Sequence, residues 1–164
     1  MATTYEPIAT TTLASTSSSI TLSSIPATYT DLRIVVVGTT ASSTTWYFRF
    51  NGDTGANYGR TELQGTGASL LTSYGASTTE ISWQYTNNSA SVPNFCSADV
   101  FSYAGSTFKS CLTTTSQDAN GSGNVGINAG IWRSTSAINS VTVFNTTTTF
   151  SVGTVVTIYG IKAA

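Results

Sequence analysis

The chain has 164 residues, a net charge of −1 and only 8% charged side chains, and it contains no histidine. An ordinary soluble domain carries about 25% charged residues, so mutual repulsion between copies is weak and nucleic acid finds no basic footprint. The missing histidine removes the commonest general base and metal ligand, which excludes Ser-His-Asp chemistry and points away from an enzyme.

At this length the chain suits one domain over residues 1–164 and can bury a real core. No apolar run approaches the roughly 20 residues that a membrane helix needs. The opening MATTYEPIATTTLASTSS lacks a basic region followed by an apolar stretch, so it does not read as a secretory signal. Asn87, Asn120 and Asn145 open Asn-x-Ser/Thr triplets, which chance supplies in a chain so rich in hydroxyls.

Thr, Val, Ile, Tyr, Phe and Trp fill the apolar positions, and no window shows a capped helical period. Ile8–Leu13 and Ser19–Ser23 form a short opening pair of strands. Leu32–Gly38 is almost continuously apolar, as expected of a central strand buried on both faces. Thr45–Phe50 alternates Trp46, Phe48 and Phe50 with Tyr47 and Arg49. The turn signal Asn51-Gly52-Asp53-Thr54-Gly55 precedes a weaker strand at Tyr58–Leu63. Residues 64–78 read as a polar loop, and Thr79–Tyr85 sets Ile81, Trp83 and Tyr85 on one face. Phe95–Tyr103 and Phe108–Thr115 form a hairpin closed by Ala104-Gly105-Ser106-Thr107. Residues 116–126 read as a second polar loop, with a single helical turn near Ala119–Val125 as the least improbable helix. Ile127–Arg133, Ile138–Asn145 and Val152–Ile161 complete the set; in the last, Val152, Val156 and Ile158 share one face. The expectation is all-β: a single antiparallel β-sandwich of jelly-roll type with about nine or ten strands.

The hairpin tests the two cysteines. Closure at 104–107 pairs Tyr103 with Phe108, Phe101 with Ser110 and Val100 with Cys111, and sets Cys96 opposite Thr115. Cys96 and Cys111 then lie roughly 13 Å apart, beyond the ~7 Å that a disulfide spans. Two free buried thiols are expected, in keeping with synthesis in a reducing cytoplasm.

No metal or cofactor site is expected. Two cysteines that do not meet, without histidine, hold no zinc. Asn51-Gly-Asp-Thr-Gly offers oxygens at short spacing but lacks the acidic positions of a calcium loop, and a tight Asn-Gly turn accounts for it. A glycosidase would need two of Glu6, Asp31, Asp53, Glu62, Glu80, Asp99 and Asp118 about 5–9 Å apart across a cleft, and none sits in a motif. Trp46, Trp83 and Trp132 suit either a sugar-stacking platform or a core, and their placement within strands favours the core. Trp132, beside Arg133, is the one whose exposure matters. The cations Arg33, Arg49, Arg60, Arg133, Lys109 and Lys162 are scattered. The runs Thr10–Thr12, Thr113–Thr115 and Thr146–Thr149 suit strands and strand edges, as a packed interface between subunits or as a solvated β surface, and the low charge favours the interface.

Four segments carry a family resemblance: MATTYEPIATTTL, SSITLSSIPATYTDLRIVV, RFNGDTGANYGRTEL and the closing FSVGTVVTIYGIKAA. Together they resemble small structural proteins of tailed bacteriophages, cyanophages among them, over somewhat under half of the chain. The resemblance implies a virion component with a β-sandwich fold and no enzymatic site, and it carries over no site residues.

The function expected is a virion structural protein: a capsid decoration or cement subunit that clamps the capsid lattice. Its partners would be itself, as a homo-oligomer such as a trimer, and the major capsid protein, with neither nucleic acid nor membrane. Residues 1–13 would serve as an N-terminal arm pairing with a neighbour's edge. The alternative is a tail-fibre or tail-tip component binding host glycans through exposed aromatics; the short chain, without a shaft, favours the capsid.

Overall fold

The structure, a computed structural model, describes residues 4–83, 89–120 and 122–162. Among these residues it contains twelve strands, more than the nine or ten expected because residues 64–78 add one: β1 (Tyr5–Thr12), β2 (Ser19–Leu22), β3 (Asp31–Gly38), β4 (Tyr47–Phe50), β5 (Tyr58–Gly65), β6 (Leu70–Thr78), β7 (Ile81–Ser82), β8 (Asn94–Phe101), β9 (Lys109–Asp118), β10 (Gly123–Trp132), β11 (Val141–Phe144) and β12 (Val155–Ile161). They form an antiparallel β-sandwich, as the sequence leads one to expect. An eight-stranded sheet runs β1-β12-β3-β8-β9-β10-β5-β6, and a four-stranded sheet runs β2-β11-β4-β7. The chain passes from one sheet to the other at every connection except β5–β6, β8–β9 and β9–β10.

One contiguous core lies between the sheets. From the large sheet, β3 contributes Leu32, Ile34 and Val36, β12 contributes Val156 and Ile158, and β8 contributes Cys96, Ala98 and Val100, all buried. From the small sheet come Phe48 and Phe50 on β4, Val141 and Val143 on β11, and Ile20 and Leu22 on β2. Aromatic rings close the rest: Phe48 packs on Trp83 with centroids 4.5 Å apart, and Trp132 stacks on Tyr58 at 6.3 Å. Trp46, Trp83 and Trp132 are all buried, so the core reading of the tryptophans holds and Trp132 offers no sugar platform.

Several local expectations need correction. Residues 64–78 are not a loop: β6 occupies most of that stretch, because Thr and Ser satisfy a ladder as well as apolar residues do where neither face needs grease. The 116–126 loop contracts to a turn about Ala119 and Ser122, whose backbones bond at 2.8 Å, as β9 and β10 run on into it. The strand expected at 79–85 shortens to β7, with Ile81 and Trp83 both buried and Tyr85 outside the described residues. β3 is central but not buried on both faces, since Arg33, Val35 and Val37 point away from the core. Val152 lies in the loop before β12, exposed, rather than on the strand's buried face.

The hairpin register follows the expectation at Val100–Cys111, Phe101–Ser110 and Cys96–Thr115. It fails at Tyr103–Phe108. Ser102 takes a positive φ of 50°, which turns Tyr103 into the core, where its hydroxyl donates to the Pro26 carbonyl and accepts from the Tyr29 amide at 3.3 Å.

A candidate interaction surface

In an antiparallel sheet, directly paired residues share a face, so register alone assigns the outer face of the large sheet. One row runs Leu70–Gly65–Val125–Ser116–Phe95–Val37–Val155–Thr12 across all eight strands. The next runs Thr72–Leu63–Ile127–Thr114–Ser97–Val35–Thr157–Thr10. Among the described residues, all of the exposed large apolar side chains but Phe108 and Val152 stand on this one face. Val125 is 64% exposed and Ile127 50%, two residues apart on β10. Leu63, Leu70, Phe95, Val125 and Ile127 wall a shallow groove of about 510 Å³ floored by Thr114 and Ser116.

Charge is nearly absent here. The following row, Tyr74–Thr61–Ala129–Leu112–Asp99–Arg33–Tyr159–Pro7, sets Arg33 beside Asp99, and the two pair: Nη2 of Arg33 donates to Oδ2 at 2.9 Å, with Nε 2.9 Å from Oδ1. Asp31, Asp118 and Arg133 stand at strand ends, as a polar rim. Hydroxyls from opposite strands pair, Ser97 with Thr114 at 2.8 Å and Thr10 with Thr157 at 3.1 Å. Eight strands at the usual spacing make a face on the order of 900 Å², against the ~800 Å² per partner of a standard interface.

The inner face changes character toward β10, β5 and β6, where Glu62, Gln64, Asn124 and Asn128 are buried. A charge chain crosses between the sheets there. Arg49 on β4 reaches Glu80 at 3.2 Å, Glu80 lies 4.0 Å from Arg60, and Arg60 lies 3.2 Å from Glu62 on β5. Ser82 also donates to Glu62. The structure thus gathers two of the seven carboxylates, Glu62 and Glu80, about one guanidinium. Each acid is paired with Arg60, Glu62 at 3% side-chain exposure and Glu80 at 20%.

The remaining carboxylates accept from local donors. Glu6 binds Lys162 at 2.7 Å and the Tyr29 hydroxyl at 3.1 Å. Asp31 caps the Ser102 amide at 2.7 Å and Asp118 the Asn120 amide at 2.8 Å. The Asn51-Gly52 stretch is a tight turn, with φ of 52° and 65° and the Asp53 amide bonded to the Phe50 carbonyl at 2.9 Å. Asp53 then takes N–H donors from Gly55, Asn57 and Trp132. Cys96 and Cys111 are free and buried, and burial pushes each thiol up to about 12. Among the described residues no three His, Cys, Asp or Glu side chains group as metal ligands.

Of the four segments that carry the resemblance, three supply β1, β12 and β3, neighbours in the large sheet, while the fourth, residues 49–63, runs from β4 into β5 near the opposite edge. Within residues 1–13, expected as an arm, Tyr5–Thr12 pair instead with β12 of the same chain. The outer face itself escapes a reading by strand: its apolar residues are spaced singly among Thr, Ser and Gly, and only the ladder brings them side by side. Comparison of the chain with protein-family models, curated proteins and solved structures gives no match.

Proposed function

We propose that this chain is a structural protein of a bacteriophage virion, most simply a decoration subunit that cements the capsid lattice. The observation that carries the reading is the outer face of the large sheet: broad, nearly free of charge, and holding almost all of the exposed apolar side chains. Such a face covers an extended neighbouring surface, and a subunit lying across capsomer junctions adds buried area that resists their separation. The resemblance of β1, β3, the β4–β5 corner and β12 to phage structural proteins supplies the particle.

The connectivity supports a jelly-roll reading. The small sheet's order β2-β11-β4-β7 faces β3-β8-β9-β10-β5-β6, in which the β8–β10 meander takes the place of one strand while β1 and β12 extend the edge.

The test is the copy number of the chain per purified particle, by quantitative mass spectrometry against the major capsid protein. A number on the scale of the capsid protein is expected. A handful of copies would move the chain to the tail and favour host binding, and absence from the particle would overturn the reading.

A further inference from the structure

A sandwich of two open sheets has four edges, and three of them are guarded. β1 carries Pro7, which lacks an N–H, and its register slips between Pro7 and Ala9. β2 has only four residues and β7 only two. The fourth edge, β6, has nine residues, LLTSYGAST, without a charge or a proline. Among the described residues its sheet partner is β5, so alternate N–H and C=O groups along it point away from the sheet. This edge also carries the two most exposed large apolar side chains on the described surface, Tyr74 at 80% and Leu70 at 68%.

We propose that β6 pairs with β6 of a second copy of this chain, antiparallel about a two-fold axis at Thr72. That register follows from the side chains. From Leu70 to Gly75 the strand pairs regularly with β5, and the slip comes only beyond Gly75. Centring the axis on Thr72 sets Leu70 of each copy opposite Tyr74 of the other, twice, around a Thr72–Thr72 pair. Thr–Thr is a favourable cross-strand pair, and Leu against Tyr takes apolar area of both out of water. The most exposed apolar side chains cover one another, and the strand's neutrality means that no like charges meet. An isologous contact of this kind closes at two copies instead of propagating. It also joins the two eight-stranded sheets edge to edge, so their outer apolar faces become one.

The pairing stands apart from the virion reading and is tested on the full chain in solution, by sedimentation equilibrium over micromolar concentrations. The wild-type chain is expected to be a dimer. Leu70→Lys with Tyr74→Lys sets lysine against lysine at both pairs and should weaken association by about tenfold or more. Leu70→Lys with Tyr74→Glu sets opposite charges across the two-fold and should restore a dimer that added salt dissociates. Within one copy these positions lie roughly 13 Å apart, so the rescue reports contact between copies. Both side chains are exposed, and circular dichroism confirms that each variant folds. A wild-type monomer, an odd-numbered oligomer, a Lys/Lys variant that dimerises like wild type, or a Lys/Glu variant as monomeric as Lys/Lys would each overturn the proposal. A monomer in solution that is abundant on particles would remove the pairing and leave the virion reading intact.

Discussion

The indole Nε1 of Trp132 donates to Asp53 Oδ2 at 2.7 Å, fastening the end of β10 to the turn that leaves β4. The contact links the two sheets at the corner where the chain crosses from β4 to β5. Asn57 adds a donor at 2.9 Å and the Gly55 amide another at 2.8 Å, so the carboxylate organises the whole turn.

Removing that carboxylate should loosen the corner. Burial alone would raise the Asp53 carboxyl, but the donors from Trp132, Asn57 and Gly55 outweigh it and hold it below the ordinary 3.8. A depressed value means that the stabilisation is present above the unfolded value and is lost as pH falls through the folded one. Asp53→Ala should cost about 1–3 kcal/mol in denaturant unfolding at neutral pH, with Asp53→Asn losing less. An Asp53→Ala variant as stable as wild type would show that the turn holds without it.

Glu62 should act in the opposite sense. Burial pushes its carboxyl above the ordinary 4.5, against the pull of Arg60 and a hydrogen bond with Ser73. The folded chain then keeps a proton that the unfolded chain has released, so stability falls as pH rises through the window above 4.5. Glu62→Gln should flatten the pH dependence of Tm in that window while leaving the Asp53 limb at lower pH in place. A profile unchanged by the substitution would remove Glu62 as its source.

The two thiols should be inert in the folded chain. Burial raises both to about 12, and they sit four residues apart along the hairpin ladder, with Val100 rather than Cys96 opposite Cys111. A disulfide-exchange reagent at mildly alkaline pH should modify neither thiol in the native protein and both in denaturant. Rapid native reaction of either would mean that the core opens there.

The outer face can be separated from the fold. Ile127 lies in the middle of the apolar rows, half-exposed, and contributes little to the core. Ile127→Glu should leave stability within about 0.5 kcal/mol of wild type while abolishing retention on purified particles. Retention at wild-type level would place the virion contact on another surface.

What could be read along the chain was whatever depends on local alternation. The β class, the free cysteines and the hairpin register from Cys96–Thr115 to Phe101–Ser110 all follow from period-two patterns and a short loop. So does the burial of Trp46, Phe48 and Phe50, which stand two apart beside Tyr47 and Arg49. β6 was hidden because its nine residues mix Ser, Thr and Gly with two leucines and a tyrosine, a composition shared with loops. Only pairing with β5 makes it a strand.

The sequence by itself determined that this chain builds sheets without histidine chemistry, and that its copies repel one another weakly. Tertiary structure decided where the apolar surplus goes. Leu32, Ile34 and Val36 turn inward while Val35 and Val37 turn outward, although all five are aliphatic. The four-stranded sheet covers one face of the eight-stranded sheet, and the other face stays open. Leu70, Val125, Phe95 and Val37 come from four distant stretches of chain, and only the ladder across the strands makes them one surface. Residue spacing sets which way each side chain points; pairing between strands far apart in the chain sets what stands beside it.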